Sequence, residues 1–319
     1  MTENSFEQKA LELFRYQAIH NSVYARYLDL LGIEPGTIQS AARIPHLPVR
    51  FFKSHRVYGA STPEECVFTS SSTTGMIPSR HYVASLETYR LNLLSIFRHF
   101  YGDPREYTVL ALLPSYLERS GSSLVYMADA LMKESARPEN GFFLYDYPAL
   151  FERLQSDASR GNKTWLIGVS FALLDFVKHF TVPAPGLIVV ETGGMKGRGI
   201  ELSREELHMR LKAGFPLSRI DSEYGMTELL SQAYSVKEDY FFDCPPTMQV
   251  SIRNLQDPFT YEPDGIQGGI NITDLANTHS CAFIETEDLG IRLSDGRFRV
   301  LGRIPNAERR GCNMLTDIS

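Results

Sequence analysis

Residues 107–113 read Tyr-Thr-Val-Leu-Ala-Leu-Leu (YTVLALL), an apolar run with no charged group. A run of this length reads as a buried strand. A Pro114-Ser115 loop follows, and then a helical stretch from Ser122 to Met132. The same succession recurs downstream. Thr164 to Val169 is a second apolar run, with a helix from about Phe171 to Phe180. Leu187 to Val190 is a third, ending in Glu191-Thr192-Gly193-Gly194. Apolar runs alternating with helices predict an α/β fold with a mainly parallel sheet. In such folds ligands collect at the carboxyl ends of the strands.

Upstream, residues 5–32 carry Leu11, Phe14, Ala18, Tyr24, Tyr27 and Leu31 at helical spacing, with Asn21 and Ser22 placed to cap a second segment. Pro35-Gly36, Pro45 and Pro48 punctuate an extended stretch that ends at Phe51-Phe52-Lys53. Cys66 to Thr69 is a short strand candidate that runs into the hydroxyl-rich residues 70–75, and residues 85–100 are helical. The hydroxyl-rich, Pro-Ser and Gly-Gly loops each follow a strand candidate, so they are placed to converge. Residues 203–213 read as an amphipathic helix with Ser203 and Glu206 as a capping box. Beyond Gly225, turns such as Pro245-Pro246 and Gly268-Gly269 separate short strands, and Gly290 to Gly302 reads as a hairpin turning at Asp295-Gly296. We expect an α/β nucleotide- and acyl-binding region over 1–225 and a β-rich subdomain over 226–319 that completes the nucleotide site.

Bulk properties narrow the class. The 319 residues are 43% hydrophobic and 22% charged, with a net charge of −6. An acidic chain has no electrostatic footprint for nucleic acid. No apolar run reaches the roughly 20 residues of a membrane span, and the first residues show no signal or transit pattern. The expected location is the cytoplasm. Cys66, Cys244, Cys281 and Cys312 are not at CxxC spacing, which argues against a zinc cluster or redox dithiol. The first three read as structural, as do the lone histidines His46, His81 and His279.

Three stretches carry chemistry. Thr69-Ser70-Ser71-Ser72-Thr73-Thr74-Gly75 can wrap polyphosphate with backbone and hydroxyl donors, or it is a solvated turn. It lacks the GxxxxGK[ST] pattern of a P-loop. Arg80 and His81 follow closely. In Tyr224-Gly225-Met226-Thr227-Glu228, a glutamate beside a hydroxyl after a glycine turn suits Mg²⁺ and a phosphate oxygen, or is merely solvated. In Glu287-Asp288-Leu289-Gly290, the aspartate can accept from ribose hydroxyls. Arg303 offers a bidentate guanidinium.

The order of these stretches is the layout of adenylate-forming enzymes, and the chain resembles that superfamily, which includes acyl-CoA synthetases and peptide-synthetase adenylation domains. Over nearly its whole length it is similar to the LuxE-type acyl-protein synthetases. The matching stretches are Phe14-Arg15-Tyr16-Gln17, residues 44–54 (IPHLPVRFFKS), 113–119 (LPSYLER), 122–127 (SSLVYM), 191–199 (ETGGMKGRG) and Arg310-Gly311-Cys312.

The resemblance implies the N-terminal-domain fold of that superfamily, without its mobile C-terminal domain. It implies ATP and Mg²⁺ as cofactors, and a carboxylic acid, of fatty type, as substrate. Ser71, Ser72, Thr73, Thr74 and Gly75 would hold the β- and γ-phosphates, with Arg80 in place of the superfamily's loop lysine. Thr227 would contact the α-phosphate and Glu228 the Mg²⁺. Tyr224 would lie against adenine and Asp288 would bind ribose, with Arg303 just before the hinge position. Gly193 and Gly194 would border the adenine and acyl pocket. Cys312 would accept the acyl group. Arg309 and Arg310 beside it favour the thiolate; a small buried cysteine is the alternative reading. An acyl reductase or acyl-carrier protein would be the partner. Two other readings stand beside this one: a ligase that acylates coenzyme A or a carrier protein, and a non-catalytic acyl- or nucleotide-binding subunit.

Overall fold

The computed structural model describes residues 3–70, 77–113, 121–182, 185–193 and 202–304. Helices α1 (Glu3–His20) and α2 (Ser22–Leu30) precede a two-residue strand β1 (Leu47–Pro48) and the short helix α3 (Phe51–Ser54). Next come β2 (Cys66–Thr69), β3 (Arg80–Val83), α4 (Leu86–Tyr101), β4 (Tyr107–Leu112) and α5 (Ser123–Ser135). They are followed by β5 (Gly141–Phe142), α6 (Tyr147–Arg160), β6 (Lys163–Val169), α7 (Ser170–Val177), β7 (Leu187–Thr192) and α8 (Arg204–Gly214). The remaining strands are β8 (Asp221–Tyr224), β9 (Ala233–Ser235), β10 (Met248–Arg253), β11 (Gly268–Asp274), β12 (Phe283–Arg292) and β13 (Phe298–Arg303).

The YTVLALL run lies inside the larger sheet, in the order β5-β4-β6-β7-β8-β9. The pairs from β5 to β8 are parallel, and β9 returns antiparallel. Every residue of β4 is buried, which is why that strand reads as a continuous apolar run rather than an alternating one. Trp165 of β6 is fully buried, with Phe97 and Tyr101 of α4 set edge-on at 5.3 and 5.8 Å. Local capping starts the surrounding helices. Ser85, Ser122, Asp146 and Ser203 each accept a backbone N–H in the first turn of α4, α5, α6 and α8.

The second sheet follows the order β1-β12-β11-β10, with β13 on β12. Its strands β10 to β13 are antiparallel neighbours, whereas β1 joins β12 in parallel across more than two hundred residues of sequence. The N-terminal helices belong to this half of the molecule. Phe14 and Tyr24 pack on Phe283, and Gln17 donates to the carbonyls of Asn277 and Thr278 while accepting from the Ala282 N–H. Consequently the core does not divide at residue 225. One hydrophobic cluster runs from Phe68 to Tyr234, and the other joins residues 6–57 to residues 224–298.

Strand β2 spans the residues expected of it. It lies outside the parallel sheet and forms an antiparallel pair with β3. Ser79, His81 and Val83 face inward, while Arg80 is exposed. This β3 alternation was hidden behind the charged look of Arg80-His81. Among the described residues no helix is long and apolar enough to cross a membrane.

Candidate active site

Strands β7 and β8 run side by side with Thr192 opposite Glu223 and Glu191 opposite Ser222. Paired residues share a face, so this register sorts the side chains. Glu191 and Ser222 face α8, and His208 Nε2 lies 3.1 Å from Ser222 Oγ and 3.5 Å from Glu191 Oε1. Thr192 and Glu223 face the opposite way, into a cavity of about 510 Å³. Gly193 continues β7 at φ +64°, a left-handed turn that glycine adopts without strain.

The stretch Tyr224 to Glu228 crosses the same cavity and is held by its backbone. The Thr227 carbonyl accepts from His81 Nδ1 at 2.8 Å, and the Glu228 carbonyl from Asn277 Nδ2 at 2.8 Å. Asp274 secures the next turn, accepting from the N–H groups of Leu230 and Ser231 at 2.8 and 3.0 Å and from the Ser231 hydroxyl at 2.6 Å. With the main chain tied from behind, the Thr227 and Glu228 side chains line the cavity. Burial raises the Glu228 carboxyl above its usual value, opposed by a hydrogen bond from Ser79 and the charge of Lys53.

Asp288 comes from the second sheet, where β12 sets it opposite Arg303 of β13. Its Oδ2 accepts from the Tyr224 hydroxyl at 2.8 Å. Arg303 donates to Glu287 at 2.7 Å and stands 3.9 Å from Asp288, with 67% of its side chain exposed. Burial pushes the Asp288 carboxyl up, against the Tyr224 hydrogen bond and the Arg303 charge. Met226, Glu287, Asp288 and Arg303 thus line the cavity opposite the end of the parallel sheet. Tyr224 itself is buried, edge-on to Phe298 at 5.3 Å, and is not among the lining residues.

The hydroxyl-rich stretch meets the cavity at both flanks. Thr69, Ser70, Ile77 and Ser79 line it, and the Ser70 N–H donates to the Ser79 carbonyl at 3.1 Å while the Ser79 N–H donates to Ser70 Oγ at 2.8 Å. Ser71, Ser72, Thr73, Thr74 and Gly75 lie outside the described residues, as do Gly194 and Cys312. Gly121 accepts from the Thr69 N–H at 2.8 Å, and Ser122, Ser123 and Gly193 complete the rim. The described flanks of the three loops therefore meet around one space.

The structure separates Arg80 from this group. Arg80 is exposed on the far side of β3, whereas Lys53 of α3 lines the cavity, as Arg303 does. Lys53 belongs to the stretch IPHLPVRFFKS, yet nothing local in that stretch points to a cavity. Glu223, Gln232, Tyr89 and Thr192 were also not legible as lining residues. The signal nearest to hand was the position of Glu223 beside Tyr224-Gly225. An added Cβ at Gly225 would lie 2.3 Å from Glu223 Oε1, so a side chain there would push that carboxylate aside. Burial lowers the His81 ring to about 4, and it supports the Thr227 carbonyl. Burial also lifts the thiols of Cys244 and Cys281 to about 12, far from a reactive thiolate.

No family model matches the chain, and no curated protein does. Solved structures do. An open form of 2-hydroxyisobutyryl-CoA ligase in complex with 2-HIB-AMP and CoA superposes with a TM-score of 0.72 at 14% identity, covering 95% of this chain and 70% of the ligase. ATP-bound MatB from Rhodopseudomonas palustris gives a TM-score of 0.55 at 15% identity, over 74% of this chain and 47% of MatB. This chain has the fold of the adenylate-forming enzymes. A luciferase-like enzyme from the mealworm Zophobas morio shares it, with a TM-score of 0.55 at 13% identity over 77% of this chain and 60% of that one. The chain therefore spans about half of MatB and over two thirds of the ligase. Within this adenylate-forming fold the cavity lies at the carboxyl ends of β7 and β8, where an α/β sheet gathers its ligands.

Proposed function

We propose that the chain uses ATP to activate a carboxylic acid as an acyl-adenylate and then passes the acyl group to a cysteine thiol. The observation that carries this reading is the convergence of Thr227, Glu228, Asp288 and the flanks of the hydroxyl-rich stretch on one cavity. In this reading Asp288 accepts from the ribose hydroxyls. Lys53, Thr227 and the hydroxyl-rich stretch surround the phosphates. A carboxylate oxygen of the acid attacks the α-phosphorus, the bond to the bridging oxygen breaks, and pyrophosphate leaves. The protein's task is to orient the two anions and to offset their charge.

Mg²⁺ fits the donor set. Glu228 is a carboxylate only 5% exposed that lines the cavity, and Mg²⁺ commonly takes one or two carboxylates together with substrate phosphates and water. Among the described residues no cluster of three His, Cys, Asp or Glu is placed to hold a metal by itself. Mg²⁺ on Glu228 would supply charge neutralisation at the departing phosphates.

In the second half-reaction the Cys312 thiolate attacks the acyl carbon of the mixed anhydride, AMP leaves, and a thioester remains. Support for Cys312 comes from the Arg310-Gly311-Cys312 resemblance and from the adjacent Arg309.

Acid-dependent exchange of labelled pyrophosphate into ATP, with a label-retention assay beside it, tests both halves. Exchange is expected in wild type and in Cys312→Ala, while hydroxylamine-sensitive labelling of the protein by radioactive acid is expected only in wild type. Exchange without such labelling, and with product appearing on coenzyme A or a carrier protein, moves the acceptor off this chain. No exchange with any acid rejects activation and leaves the binding-subunit reading.

A further inference from the structure

The cavity wall holds a buried acid that activation of a carboxylate does not use. Glu223 is 8% exposed and lines the cavity. Its Oε2 accepts a hydrogen bond from Thr192 Oγ1. Among the described residues Thr192 is the hydrogen-bond donor to this carboxylate, and Oε1 lies beside Gly225. The groups that act on its charge are Thr192, which helps, and Glu191, which repels it.

Glu191 shows how differently this chain treats a buried carboxylate that it intends to satisfy. One residue before Thr192, and on the opposite face, Glu191 accepts from Ser170 Oγ at 2.9 Å and stands 3.7 Å from Arg204 and 3.5 Å from His208. Burial would raise Glu191, but these neighbours overcome it and hold the carboxyl below its usual value. Among the described residues, Glu223 has no such cation. Its surroundings are nevertheless polar. Gln232 Nε2 lies 3.4 Å from the Tyr89 hydroxyl, and both residues line the same wall. A desolvated carboxylate with one hydrogen bond and no cation beside it is costly to keep charged unless something supplies a donor.

We infer that the acid activated here carries a hydrogen-bond donor, a hydroxyl or an ammonium group, on its carbon chain, and that Glu223 accepts from that group. The inference rests on the acid-activation reading above and narrows it. A plain alkanoate would seal Glu223 away from water without a partner. A site built to bond a substrate O–H or N–H discriminates strongly against an analogue that lacks it.

Pyrophosphate exchange with matched acids of equal carbon number separates the possibilities. Each set contains the plain acid, its hydroxyl derivatives and its amino derivatives, with the substituent moved along the chain. We expect kcat/KM for the best donor-bearing acid to exceed that of its plain counterpart by about 10²-fold or more. In Glu223→Gln the preference should change while ATP binding, followed by calorimetry with ATP alone, stays intact and reports a folded site. An amide oxygen still accepts from a hydroxyl but no longer neutralises an ammonium. Loss of the preference with amino acids but not hydroxy acids would therefore identify an ammonium, and a hydroxy-acid preference that falls by roughly two- to tenfold would identify a hydroxyl. Equal or better exchange with plain acids in wild type overturns the inference and leaves acid activation standing. So does a donor preference that Glu223→Gln does not change. Absence of exchange with every acid overturns the activation reading itself, and this inference with it.

Discussion

Replacing Glu223 by glutamine should stabilise the ligand-free protein above neutral pH, and the gain should fade in acid. Burial raises the Glu223 carboxyl from an ordinary 4.5 to about 7, against the Thr192 hydrogen bond and with the help of Glu191. Between those values the unfolded chain has released its proton while the folded chain keeps it. Raising the pH therefore draws stability away from the native state until the native carboxyl ionises near 7. The contribution is fully present below about 4.5 and lost above about 7. At about 1.36 kcal/mol for each pH unit of that gap, the loss amounts to about 3 kcal/mol. Glutamine has nearly the same shape and does not ionise, so it escapes the loss. Urea unfolding of both proteins reads the difference. With an m-value of about 3 kcal/mol/M, the variant's midpoint should lie about 1 M higher near pH 8.5. Near pH 5 the advantage should fall below about 1 kcal/mol. Equal midpoints at high pH, or a gap that does not change with pH, would mean that Glu223 is charged at little cost. The picture of an unpaired carboxylate in the cavity wall would then be refuted.

Two further outcomes follow from the supports of the site. Asp274→Ala removes the acceptor for the N–H groups of Leu230, Ser231 and Ala276 and for the Ser231 hydroxyl. It should cost about 3 kcal/mol or more in urea unfolding and depress pyrophosphate exchange, because the turn after Glu228 loses its anchor. His81 is lowered by burial from 6.5 to about 4, and His46 to about 3, by burial and the Arg253 charge. The unfolded chain takes up protons on both rings below about 6.5 and the folded chain does not, so stability falls as the pH drops through that window. His81→Gln should flatten part of this slope in urea midpoints measured between about pH 6.5 and 4. An unchanged slope would show that His81 is already protonated in the fold.

Much of the fold was legible because its signals are local. The apolar runs in β4, β6 and β7 are continuous since both faces of those strands are covered. The Asn21, Ser122 and Ser203 caps mark their helices within a few residues. Helix α6 was passed over, although Asp146 and Pro148 carry its start signal. Thr227-Glu228, Asp288 and the hydroxyl-rich stretch were legible as candidates because each depends on residue type within a short segment, and the first two, with the described flanks of the third, line one cavity.

What the chain could not disclose by itself concerns which distant residue faces which. Lys53 lines the cavity and Arg80 does not, because β3 pairs with β2 and its alternation turns Arg80 outward. The N-terminal helices pack with the C-terminal sheet through Gln17, Phe14 and Tyr24, a choice made by partners some 260 residues away in sequence. Glu191 and Glu223 are the sharpest case. Both are glutamates at the ends of adjacent buried strands, and the sequence offers no reason to treat them differently. The register of β7 against β8 sends one toward Arg204 and His208 and the other into the cavity. Period and capping act over a few residues and are written in the sequence, whereas the electrostatic fate of a carboxylate is decided by the groups that folding brings opposite it.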